Sequence, residues 1–340
     1  MKKSLVFLCL FLSLALLWGC AAAEKTTINI AMLKGPTGMG ASKLMADNEA
    51  GETKNDYVFT LAGAADVITG QLISGELDIA ALPTNTIATL YQKTEGEIQA
   101  LCVNTLGVLY VLERGESIAS IDDLAGKTIL SAGQGTTAEA VLEYLLNAAG
   151  VTAEVEYASE HAEVVAKATA DASAYDVVLL PEPFVTMLQK QAPDFRVALD
   201  LTAEWESAGA GMLPMGGIAV RRSFAEENPQ AVADFLAEYA ASVNYVNDDP
   251  TKAAQLIERY DIMQADVAES AIPRANMVCL SGDQMSVVLQ SFYNVLADFD
   301  AKLIGGALPD AAIYYGASGD ASTIGIIGGA DGPTAIYVTD

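Results

Sequence analysis

Alternating apolar and polar residues, each run followed by a glycine-rich turn and a helical pattern, recur along the chain. The segment TINIAML at residues 27–33 alternates as a strand does. It is interrupted by KGPTG at residues 34–38 and continues into a helical pattern through Leu44 and Met45. The same order returns in KTILS at residues 127–131, the loop AGQGTT at 132–137 and an amphipathic helix. The pattern predicts two strand, loop and helix units.

A constant offset relates the two units. Gly35 and Gly133 lie 98 positions apart, and the same offset relates DIAALP at residues 78–83 to DVVLLP at residues 176–181. Each of these apolar runs reads as a buried strand that is stopped by proline. We therefore predict two similar α/β lobes, in which ligands bind beyond the carboxyl ends of the strands.

Two further apolar, strand-like segments, residues 99–112 and 214–222, are predicted to carry the chain to the second lobe and back. The predicted lobe 1 is residues 27–106 plus 217–315, and the predicted lobe 2 is residues 107–216. After the return, Asn228 is predicted to cap a helix that Pro229 begins. Its apolar stripe is predicted to be core of lobe 1 and consists of Val232, Phe235, Leu236, Tyr239, Val243 and Val246.

The N-terminus predicts export. Lys2 and Lys3 precede an apolar run that is shorter than the roughly 20 residues of a membrane-spanning helix. The run ends in LWGC, which predicts a signal peptide at residues 1–19, lipidation of Cys20 and a linker at residues 20–26. The expected location is extracytoplasmic, with the protein held on the membrane by its lipid anchor. The alternative is an ordinary signal peptide that contains a cysteine.

The composition excludes several classes of protein. The formal net charge of −26, or −28 without Lys2 and Lys3, argues against nucleic acid and anionic membrane surfaces as partners. The chain has one histidine and neither CxxC nor HExxH, so we expect no metal site. Cys102 and Cys279 each lie in an apolar stretch and are predicted to be buried thiols.

The first candidate ligand site is the loop at residues 34–38, where free backbone N–H groups at a helix start can bind carboxylate, sulfonate or phosphate oxygens. Thr37 adds a hydroxyl donor and Lys34 a charge. The alternative is a plain turn between strand and helix. The matching loop at residues 133–138 has the pattern GxGxxA, which also suggests a dinucleotide site. Because it lies in the second lobe, we interpret it as a smaller anion site and expect no cofactor.

Four further candidates follow the proline-stopped strands: Thr84 and Asn85 after the first, and Glu182 and Pro183 after the second. In this position Glu182 would receive an ammonium or amide group of the ligand; the alternative is a glutamate that stabilises a helix start. His161 is expected to be solvated or to cap a helix rather than to act in catalysis. The predicted ligand-binding residues are Lys34, Gly35, Pro36, Thr37, Gly38, Thr84, Asn85, Thr105, Gly135, Thr136, Thr137, Glu182 and Pro183.

The chain resembles the solute-binding lipoproteins of nitrate/sulfonate/taurine-type (NitT/TauT) ABC importers over about residues 27–315. The resemblance is carried, in order, by LWGC, INIAMLKGPTGMG, GELDIAALPTN, SIDDLAGKTI, SAGQGTTAE, SEHAEVV, DVVLLPEPFV and NPQAVADFLAEY. It implies a periplasmic-binding-protein type II (Venus flytrap) fold, in which each lobe is a mostly parallel sheet flanked by helices.

The function that this resemblance implies is not enzymatic. A monomer would capture a small organic solute, either sulfonate, amino-acid-like or pyrimidine-like, and deliver it to an ABC permease driven by ATPase subunits. The alternatives are an enzyme on the same fold, similar to those of pyrimidine biosynthesis, and an accessory protein of a sodium-pumping decarboxylase.

The second alternative comes from the C-terminal region, residues 316–340, which we interpret as a linker and an appended tail. Its segment TIGIIGGADGPTAIYV resembles part of the membrane β subunit of sodium-pumping decarboxylases, with Asp331 at that family's sodium-site aspartate. Glycines, Asp331 and Pro333 prevent this segment from spanning a bilayer as an ordinary helix. Its expected role is either a docking peptide or an inert extension.

Overall fold

The computed structural model describes residues 25–170 and 174–318, together with two short strands at residues 324–327 and 335–338. In chain order the strands are Thr27–Leu33 (β1), Asp56–Ala62 (β2), Ile79–Pro83 (β3), Ile98–Thr105 (β4), Leu109–Arg114 (β5), Thr128–Ala132 (β6), Glu154–Ala158 (β7), Val177–Pro181 (β8), Phe195–Asp200 (β9), Gly216–Arg221 (β10), Met277–Ser281 (β11), Ile324–Ile327 (β12) and Ala335–Val338 (β13).

The α-helices alternate with these strands over most of the chain. They are Pro36–Glu49 (α1), Ala65–Ser74 (α2), Thr84–Lys93 (α3), Thr137–Ala149 (α4), His161–Ala170 (α5), Phe184–Gln191 (α6), Leu201–Ser207 (α7), Arg222–Glu227 (α8), Pro229–Asp248 (α9), Pro250–Arg259 (α10), Ala265–Ala271 (α11) and Gly282–Asp300 (α12). Short 3-10 turns lie at Ile121–Leu124, Ile272–Arg274, Ala301–Ile304 and Ala311–Ile313.

Two mixed sheets form the centre of the molecule. The first has the strand order β11-β4-β10-β3-β1-β2, and the second has the order β7-β6-β8-β5-β9. Four of six strands in the first sheet and four of five in the second run in one direction. Helices flank both sheets, so the predicted two-lobed α/β class is confirmed. We use lobe 1 for the part of the chain around the first sheet and lobe 2 for the part around the second.

The two lobes repeat one strand arrangement. In lobe 1, β1 lies between the parallel strands β2 and β3, and β10 pairs antiparallel with β3. In lobe 2, β6 lies between the parallel strands β7 and β8, and β5 pairs antiparallel with β8. The strands β3 and β8, which the 98-residue offset relates, occupy equivalent positions. The sequence offset thus reflects a duplicated topology.

The chain crosses between the lobes at two neighbouring strands of lobe 1. It leaves after β4 and enters lobe 2 at β5, so residues 99–112 contain two strands; it returns at β10, which pairs with β4. Asn276 also joins this region, because its carbonyl accepts from Leu106 N at 3.0 Å and its side-chain amide donates to Gly107 O. The lobe boundaries at residues 106/107 and 216/217 stay a prediction.

The long helix α9 contributes core to lobe 1, as its apolar stripe predicts. Phe235, Tyr239 and Val243 are buried against α1 and β11, while Leu236 is only partly buried. Burial of each such side chain contributes about 1.5–3 kcal/mol to folding. Asn228 occupies the N-cap position, but the predicted capping bond is wrong, because its side-chain amide donates to Phe224 O at 3.1 Å.

Gly107 lies at the crossing between the lobes and has no room for a side chain. A methyl group there would lie 2.8 Å from Thr202 Cβ and would also overlap the rest of that side chain. We expect Gly107→Ala to lower the free energy of unfolding by about 1–3 kcal/mol through overpacking.

Chemical denaturation would check this expectation, with Gly70→Ala as the control. Gly70 lies in α2 with open space around it, so alanine there should raise stability by about 0.5–1 kcal/mol. A Gly107→Ala protein as stable as the wild type would show that the crossing is not tightly packed.

Both ends of the chain carry predictions that the structure does not reach. The signal peptide, Cys20, Asp331 and Pro333 lie outside the described residues. In the tail, β12 and β13 pair antiparallel. Among the helices of the described part of the chain, none combines the length and the apolar character that crossing a membrane requires.

Candidate functional site

A cavity of about 140 Å³ lies between the lobes, at the carboxyl ends of strands from both sheets. Five helices begin at its wall: α1 and α2 from lobe 1, and α4, α5 and α6 from lobe 2. The first turn of a helix presents unpaired N–H groups and a positive partial charge. The cavity is therefore suited to an anionic group although the protein as a whole is acidic.

The loop at residues 34–38 contributes to this cavity from lobe 1. Lys34, Gly35, Pro36 and Thr37 line it, and Gly35 adopts a φ of 141° that favours glycine. The Thr37 hydroxyl donates to Leu33 O at 3.0 Å and accepts from Leu33 N at 3.1 Å, so it fastens the loop to β1. Gly38 does not line the cavity.

Lys34 is the cation at the cavity wall, but it has a partner within the protein. Its Nζ lies 2.9 Å from Asp261 Oδ2. Glu160 is the other charged residue that lines the cavity. The wall is otherwise dominated by apolar side chains and backbone, so a bound charge would depend on the helix starts rather than on an unpaired cation.

The loop at residues 133–137 contributes from lobe 2. Gly133, Thr136 and Thr137 line the cavity, whereas Gly135 does not. The Thr136 hydroxyl donates to Gly133 O at 2.5 Å, and Gly135 N donates to Glu139 at 2.6 Å. These bonds hold the loop in the shape that leaves the start of α4 facing the cavity.

Thr84 and Asn85 serve the junction of the lobes instead of lining the cavity. Thr84 Oγ1 donates to Pro214 O at 2.7 Å, and Asn85 Nδ2 donates to Gly135 O at 2.9 Å. Thr137 Oγ1 donates to Asn85 Oδ1 at 3.1 Å. Both residues are fully buried. Asn85 thus joins α3 to the loop before α4, and direct contact of either residue with ligand stays a prediction.

Glu182 and Pro183 also lie away from the cavity wall. The Glu182 side chain is fully buried, and its carboxylate accepts from Arg274 Nε at 2.8 Å and from Thr186 N and Oγ1 at 3.1 Å each. The group expected to meet a ligand ammonium thus meets the guanidinium of Arg274 across the lobes. Because Arg274, 92 positions away, already pairs with this carboxylate, Glu182 contact with a ligand ammonium or amide group stays a prediction.

Thr105, the candidate on the crossing strand, does line the cavity. It is buried at the end of β4, and its hydroxyl donates to Asn104 Oδ1 at 3.3 Å. Its position next to the crossing places it where both lobes meet.

One wall of the cavity was not predicted from the sequence; it is formed by Ser159, Glu160, His161 and Phe184. The 98-residue offset is the sequence signal for this wall, because it relates His161 to Gly63 and both residues line the cavity. Glu160 closes against Gly63 from the opposite lobe, where a side chain at position 63 would overlap its carboxylate.

His161 has a different environment from the solvated or capping one expected. Its ring packs on Phe184 with centroids 5.3 Å apart, and its Nδ1 atom is buried without a hydrogen-bond partner among the described residues. Burial lowers the pKa of His161 to about 4. The imidazole is therefore neutral at physiological pH and adds no charge to the wall.

A second, outer cavity of about 540 Å³ adjoins the first. Both are lined by Lys34, Gly63, Glu160, His161 and Phe184, and the rest of the outer wall is half acidic or amide side chains and half apolar ones. Within the described residues no cluster of three or more histidine, cysteine or acidic side chains could hold a metal ion.

The family model for menaquinone biosynthesis matches residues 46–275, which include the lobe 2 loops that line the cavity. The chain belongs to the menaquinone biosynthesis family. No curated protein matches the sequence. The family match ends before the tail, so the resemblance of the tail to a decarboxylase subunit stays a prediction.

Solved structures show how widely this fold is used. A protein described as an ABC transporter from Parabacteroides distasonis superposes with a TM-score of 0.70 at 20% identity, covering 85% of this chain and 99% of its own. The alkanesulfonate-binding protein SsuA from Xanthomonas axonopodis pv. citri, bound to MOPS, has a TM-score of 0.66 at 16% identity, covering 85% and 96%. The nitrate-binding protein NrtA from Synechocystis PCC 6803 has a TM-score of 0.56 at 16% identity, covering 74% and 70%. At these identities the likeness shows the fold, which this member of the menaquinone biosynthesis family shares with solute-binding proteins.

Proposed function

We propose that this protein is an extracytoplasmic solute-binding protein that captures a small organic anion between its lobes and delivers it to an ABC importer. The observation that carries the proposal is the interlobe cavity, at which helix starts from both lobes converge. A ligand that contacts both lobes only in the closed form stabilises closure. Export and lipid attachment at Cys20 would place the protein where an importer needs it.

The cavity size limits the ligand. A cavity of about 140 Å³ is close to the roughly 150 Å³ that accommodates benzene in an engineered protein. The ligand would thus have a compact apolar body of about six to ten non-hydrogen atoms. Its carboxylate or sulfonate would lie at the starts of α1 and α4, near the backbone N–H groups of the first helical turns that contain Thr37 and Thr137.

Calorimetric titration with short alkyl and aryl carboxylates and sulfonates tests this proposal. We expect Ala138→Leu to weaken binding of the best ligand by at least about tenfold, because Ala138 lines the cavity and the larger side chain would occupy ligand space. Ala149→Leu is the matched control, since it makes the same change at the exposed end of the same helix.

Native mass spectrometry of gently purified protein adds an independent test, since a carried molecule would be released and identified. Protein that carries nothing, ignores the panel and does not compact in small-angle scattering would contradict the binding role. Equal affinity in the Ala138→Leu and Ala149→Leu variants would contradict the location of the site.

The family match supports a second candidate, an enzyme of menaquinone biosynthesis. The observation that favours it is His161, a neutral imidazole at the cavity wall with an unpartnered buried nitrogen, the form in which histidine can accept a proton. Turnover distinguishes the two: the binding role predicts that the captured molecule is recovered unchanged after prolonged incubation, whereas an enzyme would release a product of different mass.

A further inference from the structure

Cys102 and Cys279 lie on neighbouring strands of lobe 1, and both are free thiols. In the pairing of β4 with β11, Ser281 is opposite Cys102, so Cys279 lies two residues along the partner strand. Residues two apart on a strand point to the same face, which makes the two cysteines diagonal neighbours. Both pack into the same apolar core, and their thiols are hydrogen-bond partners.

We propose that Cys102 and Cys279 are a redox-sensitive pair that closes to an intramolecular disulfide in an oxidising compartment. The oxidant would be a small disulfide of the glutathione type. The Cys279 thiolate attacks one of its sulfurs, which breaks that S–S bond and releases one thiolate. Cys102, after losing its proton, attacks the Cys279 sulfur and releases the second thiolate. The two cysteines lose two protons and two electrons, and the small disulfide is reduced to two thiols.

The burial and pKa of the two cysteines determine the order of these steps. Cys279 is only partly buried, whereas Cys102 is fully buried, so the external disulfide can reach Cys279 first. The hydrogen bond from Cys102 lowers the pKa of Cys279, and burial raises the pKa of Cys102. Cys279 is thus the entering nucleophile and Cys102 the resolving thiol.

The strand that carries Cys279 can adjust to the bond. Diagonal neighbours are slightly further apart than the usual span of a disulfide, so closure requires a small shift of the backbone. β11 is the edge strand of its sheet, and its register with β4 is already irregular between Met277 and Leu280. A shift there disturbs no further strand.

The bond would act on stability and not on the ligand site. Neither cysteine lines the interlobe cavity. The loop that it closes runs from residue 102 to residue 279 and includes all five strands of lobe 2. Long loops lose the most entropy in the unfolded state when they are closed, so the disulfide should raise the melting temperature.

The experiment uses the full chain, incubated with glutathione disulfide or with dithiothreitol and then alkylated. Peptide mapping should find Cys102 linked to Cys279 with a mass lower by about 2 Da, the loss of two hydrogens, and the melting temperature should rise by about 5–15 °C. Cys279→Ser and Cys102→Ala are each expected to abolish the shift. The reduced forms of both should bind the tightest carboxylate or sulfonate of the titration panel as the reduced wild type does.

Three results would overturn the proposal: a glutathione adduct that persists on Cys279, a bond between two copies of the protein, or two thiols that remain alkylatable after incubation. A Cys102–Cys279 bond without a rise in melting temperature would also overturn it, since the pair would then not stabilise the fold.

Discussion

Replacing Arg274 with alanine is expected to destabilise the arrangement of the lobes seen in the structure by about 3 kcal/mol. Arg274 lies just before β11 in lobe 1, and its guanidinium lies 2.6 Å from the fully buried carboxylate of Glu182 in lobe 2. Removing one partner of a buried pair leaves an uncompensated charge, which costs about 3–5 kcal/mol. We place the effect at the lower end because the Arg274 side chain is 52% exposed.

The chain offers a matched control in a second ion pair between the lobes. Lys190 Nζ lies 2.7 Å from Asp266 Oδ2, and both side chains are exposed. Lys190→Ala should therefore cost less than about 1 kcal/mol. Small-angle scattering would detect the more open form as an increased radius of gyration, and thermal melting would report the loss of stability.

A double variant separates the effect of the unpaired Glu182 charge from the effect of losing the Arg274 side chain. Glu182→Gln combined with Arg274→Ala removes the buried charge and keeps the amide within reach of Thr186, so it should recover most of the loss. If Arg274→Ala and Lys190→Ala had equal small effects, the Glu182 carboxylate would not depend on Arg274.

Acidification from pH 6.5 to pH 4 is expected to cost the folded protein up to about 3 kcal/mol through His161. Burial lowers the folded-state pKa of this residue to about 4, whereas histidine in an unfolded chain has a pKa near 6.5. Below pH 6.5 the unfolded chain takes up a proton that the folded protein does not accept until about pH 4. The contribution of His161 is thus fully present above pH 6.5 and is lost as the pH falls toward 4.

No other histidine contributes to the pH dependence of stability, because His161 is the sole histidine of the chain. Carboxylates also titrate at acid pH, so the test compares wild type with His161→Phe, which keeps a ring against Phe184. The free energy of unfolding, measured by denaturant at pH 7.5, 5.5 and 4.5 on protein without a histidine tag, should fall more steeply for wild type. Parallel pH profiles would show that the imidazole is not buried in solution.

The sequence by itself determined the local elements and their repetition. Alternation, proline and glycine gave the strands β1, β3, β6 and β8 to within about one residue, because these signals act on the backbone next to them. The 98-residue offset correctly predicted two similar lobes, since a repeated order of elements folds to a repeated topology. The two loops at the starts of α1 and α4 followed from the same reasoning, and both reach the cavity.

Only the tertiary structure decided what each polar side chain meets. Glu182 and Thr84 follow equivalent strands, yet one pairs with Arg274 and the other binds the carbonyl of Pro214. His161 begins its helix as expected, but the packing of Phe184 and the approach of the opposite lobe bury its nitrogen. The partners come from distant segments, and a local pattern specifies a side chain's face on its own strand or helix but not which segment packs there. The physical reason is that burial, ion pairing and pKa depend on distances across the interface between the lobes. These distances are set only when both lobes have folded.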